Sequence, residues 1–156
     1  MNFFEPSRFP FLEPIIHGWR AARDEALALG DADLMPYPIG EFYRGGWKVC
    51  GLWSAPYPGQ SAGDIAPLLE RNRRRCPRTA AMCSEIPGNG LIGFSILEPD
   101  CEVLPHHHPD GSFIAHIGLV APDGCGIEVG GETRQWSEGG CLVFHETSVH
   151  RAWNRG

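Results

Sequence analysis

Along the first third of the chain, apolar positions recur with a helical period. In FLEPIIHGWRAARDEALALG, the residues Ile15, Ile16, Trp19, Ala22, Ala26 and Leu27 share one face, which predicts a helix stopped at Gly30. AGDIAPLLERNRRR predicts a second helix capped by Ser61 or Asp64. WKVCGLW, Trp47 to Trp53, reads as a strand. From about Leu91 the texture changes to short apolar or alternating runs broken by Gly, Pro and Asp: LIGFSILE, CEVLP, FIAHIGLV, GIEV, TRQW, CLVF and VHRAW. IEVGGETRQW holds a Gly-Gly pair between two such runs, a hairpin signal. Closely spaced short strands predict a sandwich, barrel or jelly roll, with the helices on one face of it. With no internal repeat or linker, residues 1–156 read as a single domain, helical over about 1–75 and strand-rich over about 91–156.

Composition narrows the class. At 42% hydrophobic and 21% charged the chain can bury a core, and its formal net charge of -6 argues against nucleic acid or an anionic membrane as partner. The one basic run, ERNRRRCPR, reads as a helix end, where cations meet the negative end of the dipole. No run approaches the roughly 18 apolar residues of a membrane span, and MNFFEPSRFPFLEP lacks the basic start and apolar stretch of a secretory signal. The six cysteines form no CxxC pair and are expected to be mostly reduced thiols in a cytoplasmic protein.

Candidate chemistry lies with the histidines. His17 sits in the first predicted helix, whereas the other six (His106, His107, His108, His116, His145 and His150) all fall in the strand-rich part. Strands bring distant residues together, so a histidine near one strand end and another much later can share an ion. Two imidazoles with a carboxylate make the facial set that suits non-haem Fe(II) and leaves positions open for substrate and dioxygen. His108, Asp110 and His150 match that pattern when it is read from spacing alone. HPDG also reads simply as a turn.

The run from Phe94 to Asn154 resembles the aspartyl/asparaginyl β-hydroxylase family. The resemblance rests on HxxP (His106 and Pro109), HIGLV-x-P from His116, VGGETR-x-W-x-EG from Val129, and F-x5-H-x-x-WN from Phe144. FFEPSRFPFLEP and RCPRT look similar to the family too, so the likeness covers nearly the whole chain. It implies a mainly β fold with N-terminal helices, a double-stranded β-helix (jelly roll, cupin-like). It also implies an Fe(II)- and 2-oxoglutarate-dependent dioxygenase that hydroxylates an amino-acid side chain, free or in a peptide. His106 and His150 would be the catalytic iron ligands. His108, or else Asp110, is the candidate third ligand, because His108 stands in the slot where a carboxylate ligand would sit. His106 and His108 alternate to one side and His107 to the other. Ser95 and His116 match cosubstrate-binding positions. His145 and Glu146 stand around the site, in FHET where the family has FDDS.

Two departures touch the cosubstrate. The family's arginine two residues before the histidine of HIGL is Ile114 here, and the arginine that follows the second iron ligand falls beyond Gly156. A 2-oxoglutarate carboxylate wants a bidentate cation, and leaving it unpaired in an apolar pocket costs several kcal/mol. Two other readings therefore stand beside the hydroxylase. One is a cupin-like metalloenzyme that does not use 2-oxoglutarate, with His107, His108, His145, Glu146 and Asp110 completing a site for iron, copper or zinc. The other is a non-catalytic binding module whose open sheet edge pairs with another chain, or with its own copy in a homo-oligomer.

Overall fold

The computed structural model describes residues 1–88 and 90–156. In chain order its elements are β1 (Phe3–Phe4), α1 (Glu13–His17), α2 (Trp19–Leu27), β2 (Met35–Pro36), β3 (Tyr43–Arg44), β4 (Trp47–Trp53), α3 (Ala62–Arg75), α4 (Pro77–Cys83), β5 (Ile92–Leu97), β6 (Cys101–His106), β7 (Phe113–Ile117), β8 (Cys125–Val129), β9 (Glu132–Arg134), β10 (Cys141–His145) and β11 (His150–Asn154).

The predicted first helix is two. Gly18 ends α1 by donating its N–H to the Pro14 carbonyl, and it sits against the Met82 sulfur where no Cβ would fit. The second stops at Leu27, short of Gly30, whose N–H goes to the Asp33 carboxylate at 3.0 Å. The second predicted helix has the expected bounds. Ser61 is its cap, and Asp64 returns the bond: the Ser61 hydroxyl accepts from the Asp64 N–H at 3.2 Å, and the Asp64 carboxylate accepts from the Ser61 N–H at 2.8 Å. The basic run is the end of α3, its arginines engaged locally: Arg73 donates to the Leu52 carbonyl at 2.6 Å, Arg74 pairs with Glu70, and Arg75 pairs with Asp33 at 2.9 Å.

The fourth helix was not foreseen, although Pro77 at its first position is a starting signal. Its free amides are met from another helix. The Glu25 carboxylate, 8% exposed, accepts from the Thr79 N–H (2.7 Å), the Thr79 hydroxyl (2.8 Å) and the Arg78 N–H (3.2 Å). Glu25→Ala would strand buried donors and is expected to lower stability by about 2–3 kcal/mol in urea unfolding, with Glu25→Gln losing less because its amide oxygen still accepts.

The strands form three antiparallel sheets, ordered β1-β10-β7, β3-β6-β11-β8-β9 and β2-β4-β5, and the described residues do not close into a barrel. The fold is thus mainly β with helices, as expected. Gly130 and Gly131 make the β8–β9 turn, and both have positive φ (56° and 85°), which glycine adopts without strain. The helices pack on β4 and β5 around Leu52, Cys50, Phe94, Ala22, Ile15, Cys76 and Cys83. A second core of Phe3, Ile127, Val129 and Phe144 lies between the other two sheets. All six cysteines are unbridged. No described helix is long and apolar enough to cross a membrane.

Candidate metal centre between two strands

β6 and β11 are neighbours in the five-stranded sheet, and His106 and His150 are direct partners across them. The register slips just beyond this pair. Pro105 and Leu104 stand opposite Arg151 alone, a bulge where Pro105 has no N–H to give the ladder. The two imidazole centroids are 4.3 Å apart.

Both rings are locked in the same tautomer. His106 Nδ1 lies 2.8 Å from the Leu104 carbonyl, and His150 Nδ1 lies 2.8 Å from the Ser148 carbonyl. A carbonyl only accepts, so each Nδ1 carries the hydrogen and each Nε2 presents a lone pair. Backbone carbonyls orient metal-binding histidines in this way. Burial lowers both pKa values below the ordinary 6.5, against the opposing effect of those carbonyl bonds, so the rings are neutral donors at pH 7. Phe42 stacks on His106 (4.7 Å, 16°), and Phe144 packs 5.2 Å from His150, shielding the pair from water.

The remaining predicted residues are placed unevenly. His107 is exposed, just past the end of β6. The His108 ring is 5.6 Å from His106, and its Nε2 is 4.0 Å from Glu146 Oε2. Asp110 is exposed in a turn closed by the Gly111 N–H on the His108 carbonyl, so HPDG is indeed a turn. Among the described residues, no three His, Cys, Asp or Glu side chains converge as a ready metal cluster. The centre is a pair of imidazoles with His108 and Glu146 alongside. His145 is not brought to it: it faces the other side of β10 from Phe144, against Phe113 (4.8 Å) and the Thr147 hydroxyl (2.8 Å).

His116 and Ile114 point inward from β7, paired with Leu142 and Phe144 of β10. Ile114 packs on the second core, so an apolar contact fills the place of the family's arginine. Burial, with a smaller push from His150, takes His116 down to about 4. An unfolded histidine gains its proton near 6.5 whereas the native His116 does not until about 4, so the unfolded state binds more protons in between. Stability of the metal-free protein is therefore expected to fall as pH drops from about 6.5 to 4, by up to one proton's slope for this residue; His116→Gln should flatten the urea midpoint over that window.

Ser95, exposed on β5, accepts a bond from Trp47 Nε1 at 2.8 Å. Trp47 stacks on Tyr37 (3.8 Å, 12°), and Tyr43 and Tyr57 meet Tyr37 edge-on. Sequence reasoning missed Phe42, Tyr37 and Trp47. The cue was there, in aromatic residues crowded around the Gly-rich EFYRGGWK. A cavity of about 350 Å³ between β4, α3 and α4 is lined by Trp53, Leu69, Cys83 and Ile92 and includes none of these side chains.

Two antiparallel strands thus present a pair of neutral imidazoles side by side. The sequence model described as "Aspartyl/Asparaginyl beta-hydroxylase" matches residues 17–156, and the chain belongs to that family. It is 36% identical over 122 residues to mouse "Aspartate beta-hydroxylase domain-containing protein 2", covering 71% of this chain and 34% of that protein. It is 34% identical over 140 residues to human "Aspartyl/asparaginyl beta-hydroxylase", covering 86% and 18%. It is also 37% identical over 89 residues to "Ornithine lipid ester-linked acyl 2-hydroxylase" of Rhizobium tropici, covering 54% and 32%. The chain thus spans about a third or less of each of these three relatives.

Proposed function

We propose that this chain is a non-haem Fe(II)-dependent hydroxylase that uses dioxygen and 2-oxoglutarate to oxidise an amino-acid side chain, free or in a peptide. The observation that carries it is the pair His106 and His150, cross-strand partners whose Nδ1 hydrogens are held by Leu104 and Ser148 so that both Nε2 atoms are free to ligate. Those two nitrogens would hold the iron, with His108 the nearest further imidazole. Iron bound there would supply the activation of dioxygen. The protein's own part is to hold the tautomers, cover the pair with Phe42 and Phe144, and seat the cosubstrate. Ser95 accepts from Trp47, which leaves its hydroxyl hydrogen for a carboxylate. His116, neutral at pH 7, offers one further donor from β7. The double-stranded β-helix is part of this proposal, supported by the antiparallel order β6-β11-β8-β9. A cytoplasmic setting is supported by the six free thiols.

Ile114 favours a second reading, a metalloenzyme of this fold that does not use 2-oxoglutarate, because no cation stands at that position to meet the distal carboxylate. One experiment separates the two. The protein is purified without oxygen, its metal is counted, and Fe(II), 2-oxoglutarate and air are added. Stoichiometric iron with succinate release is expected. Iron without succinate selects the second reading, and folded protein that takes up no iron, copper or zinc refutes both.

A further inference from the structure

Glu146 is fixed at the rim of the imidazole pair by its backbone and by one carboxylate oxygen. Its N–H donates to the Ser112 carbonyl at 3.1 Å, its own carbonyl accepts from the His108 N–H at 2.9 Å, and Oε1 accepts from the Ser112 N–H at 2.8 Å. The turn is packed so closely that a Cβ on Gly111 would overlap the Glu146 side chain. Oε2 is differently placed. His108 Nε2 stands 4.0 Å from it, beyond hydrogen-bond reach, and the side chain is 21% exposed. A rigid, half-buried carboxylate therefore aims one oxygen at the rim.

An aromatic ring lies beside the two histidines nearest that rim. Phe42 lies 5.9 Å from His108 and stacks on His106. The Tyr37 phenol is pushed up to about 12, first by burial, then by Tyr57 and by the Glu146 charge.

We propose that Glu146 Oε2 anchors a cationic group of the substrate, an ammonium or guanidinium, so that the hydroxylated substrate is a basic side chain or an amine rather than an acidic one. A charge-assisted bond to a held carboxylate, with aromatic faces beside it, is the chemistry that recognises such groups. The inference rests on His106 and His150 being the reactive centre.

The test uses protein loaded with Co(II), protein loaded with Zn(II) and metal-free protein. The probes are the Nα-acetyl methylamides of lysine, arginine, norleucine and glutamate. The expected result is that a cationic probe binds about ten-fold more tightly than norleucine or glutamate. Its side-chain protons should relax faster with Co(II) than with Zn(II), and the Ser112 amide resonance should shift. Glu146→Gln keeps an oxygen for the Ser112 N–H but removes the charge, and it is expected to abolish the preference while the melting temperature holds. Equal binding of all four probes, no Ser112 shift with either cationic probe, or a preference that survives Glu146→Gln would overturn the proposal. Failure of Co(II) uptake would instead count against the metal centre, and the Ser112 titration of metal-free protein would still decide the anchor.

Discussion

His150→Ala is expected to weaken Fe(II) binding by at least about 100-fold and to abolish any oxygenase turnover, with His106→Ala doing the same. Each change removes one of only two imidazoles that face each other across β6 and β11. Loss of groups that merely orient a ligand already costs 10–100-fold in affinity, so loss of the ligand itself should exceed that. The measurement is metal content after equilibration with Fe(II) under argon, with circular dichroism to show that the sheet persists. His107→Ala is the control: its side chain is exposed and should leave binding unchanged. Iron retained at full stoichiometry by His150→Ala would show that the pair is not the centre.

Phe144→Ala is expected to destabilise the protein by about 3–5 kcal/mol, the usual penalty for deleting a buried aromatic ring. Phe144 is 1% exposed and joins the second core to the site, with rings of Phe3 at 6.2 Å, His116 at 5.3 Å and His150 at 5.2 Å. Its loss should also loosen His150, so iron affinity should fall along with the urea midpoint. Phe144→Leu keeps most of the apolar volume and should recover more than half of both losses. Equal iron affinity in Phe144→Ala and the parent would mean that the ring supports the core alone.

Local chemistry was readable where a short segment determines its own conformation. Ser61 and Asp64 cap a helix through bonds made within one turn, and Gly130 and Gly131 supply the backbone angles of their hairpin unaided. Less was readable where the partner lies far along the chain. Nothing near Pro77 announces that Glu25 will cap α4, and nothing near Phe3 announces a strand on β10. Within the site, spacing alone pointed to His108, Asp110 and His150, and the family likeness was what singled out His106 beside His150; the tautomers of that pair depend on carbonyls that only the folded backbone aims. His145 misled because spacing in a strand does not say which face the site occupies.

The pairing of Phe3 and Phe4 with Phe144 and Val143 has a kinetic meaning. These contacts join the first described strand to the last but one, across most of the length of the chain. Their search is long and the entropy of closing so large a loop must be met before any contact rewards it. The second core should thus be the late-assembling part of the molecule. Until it forms, an apolar β10 waits uncovered, the stage at which a nascent chain is most prone to self-association.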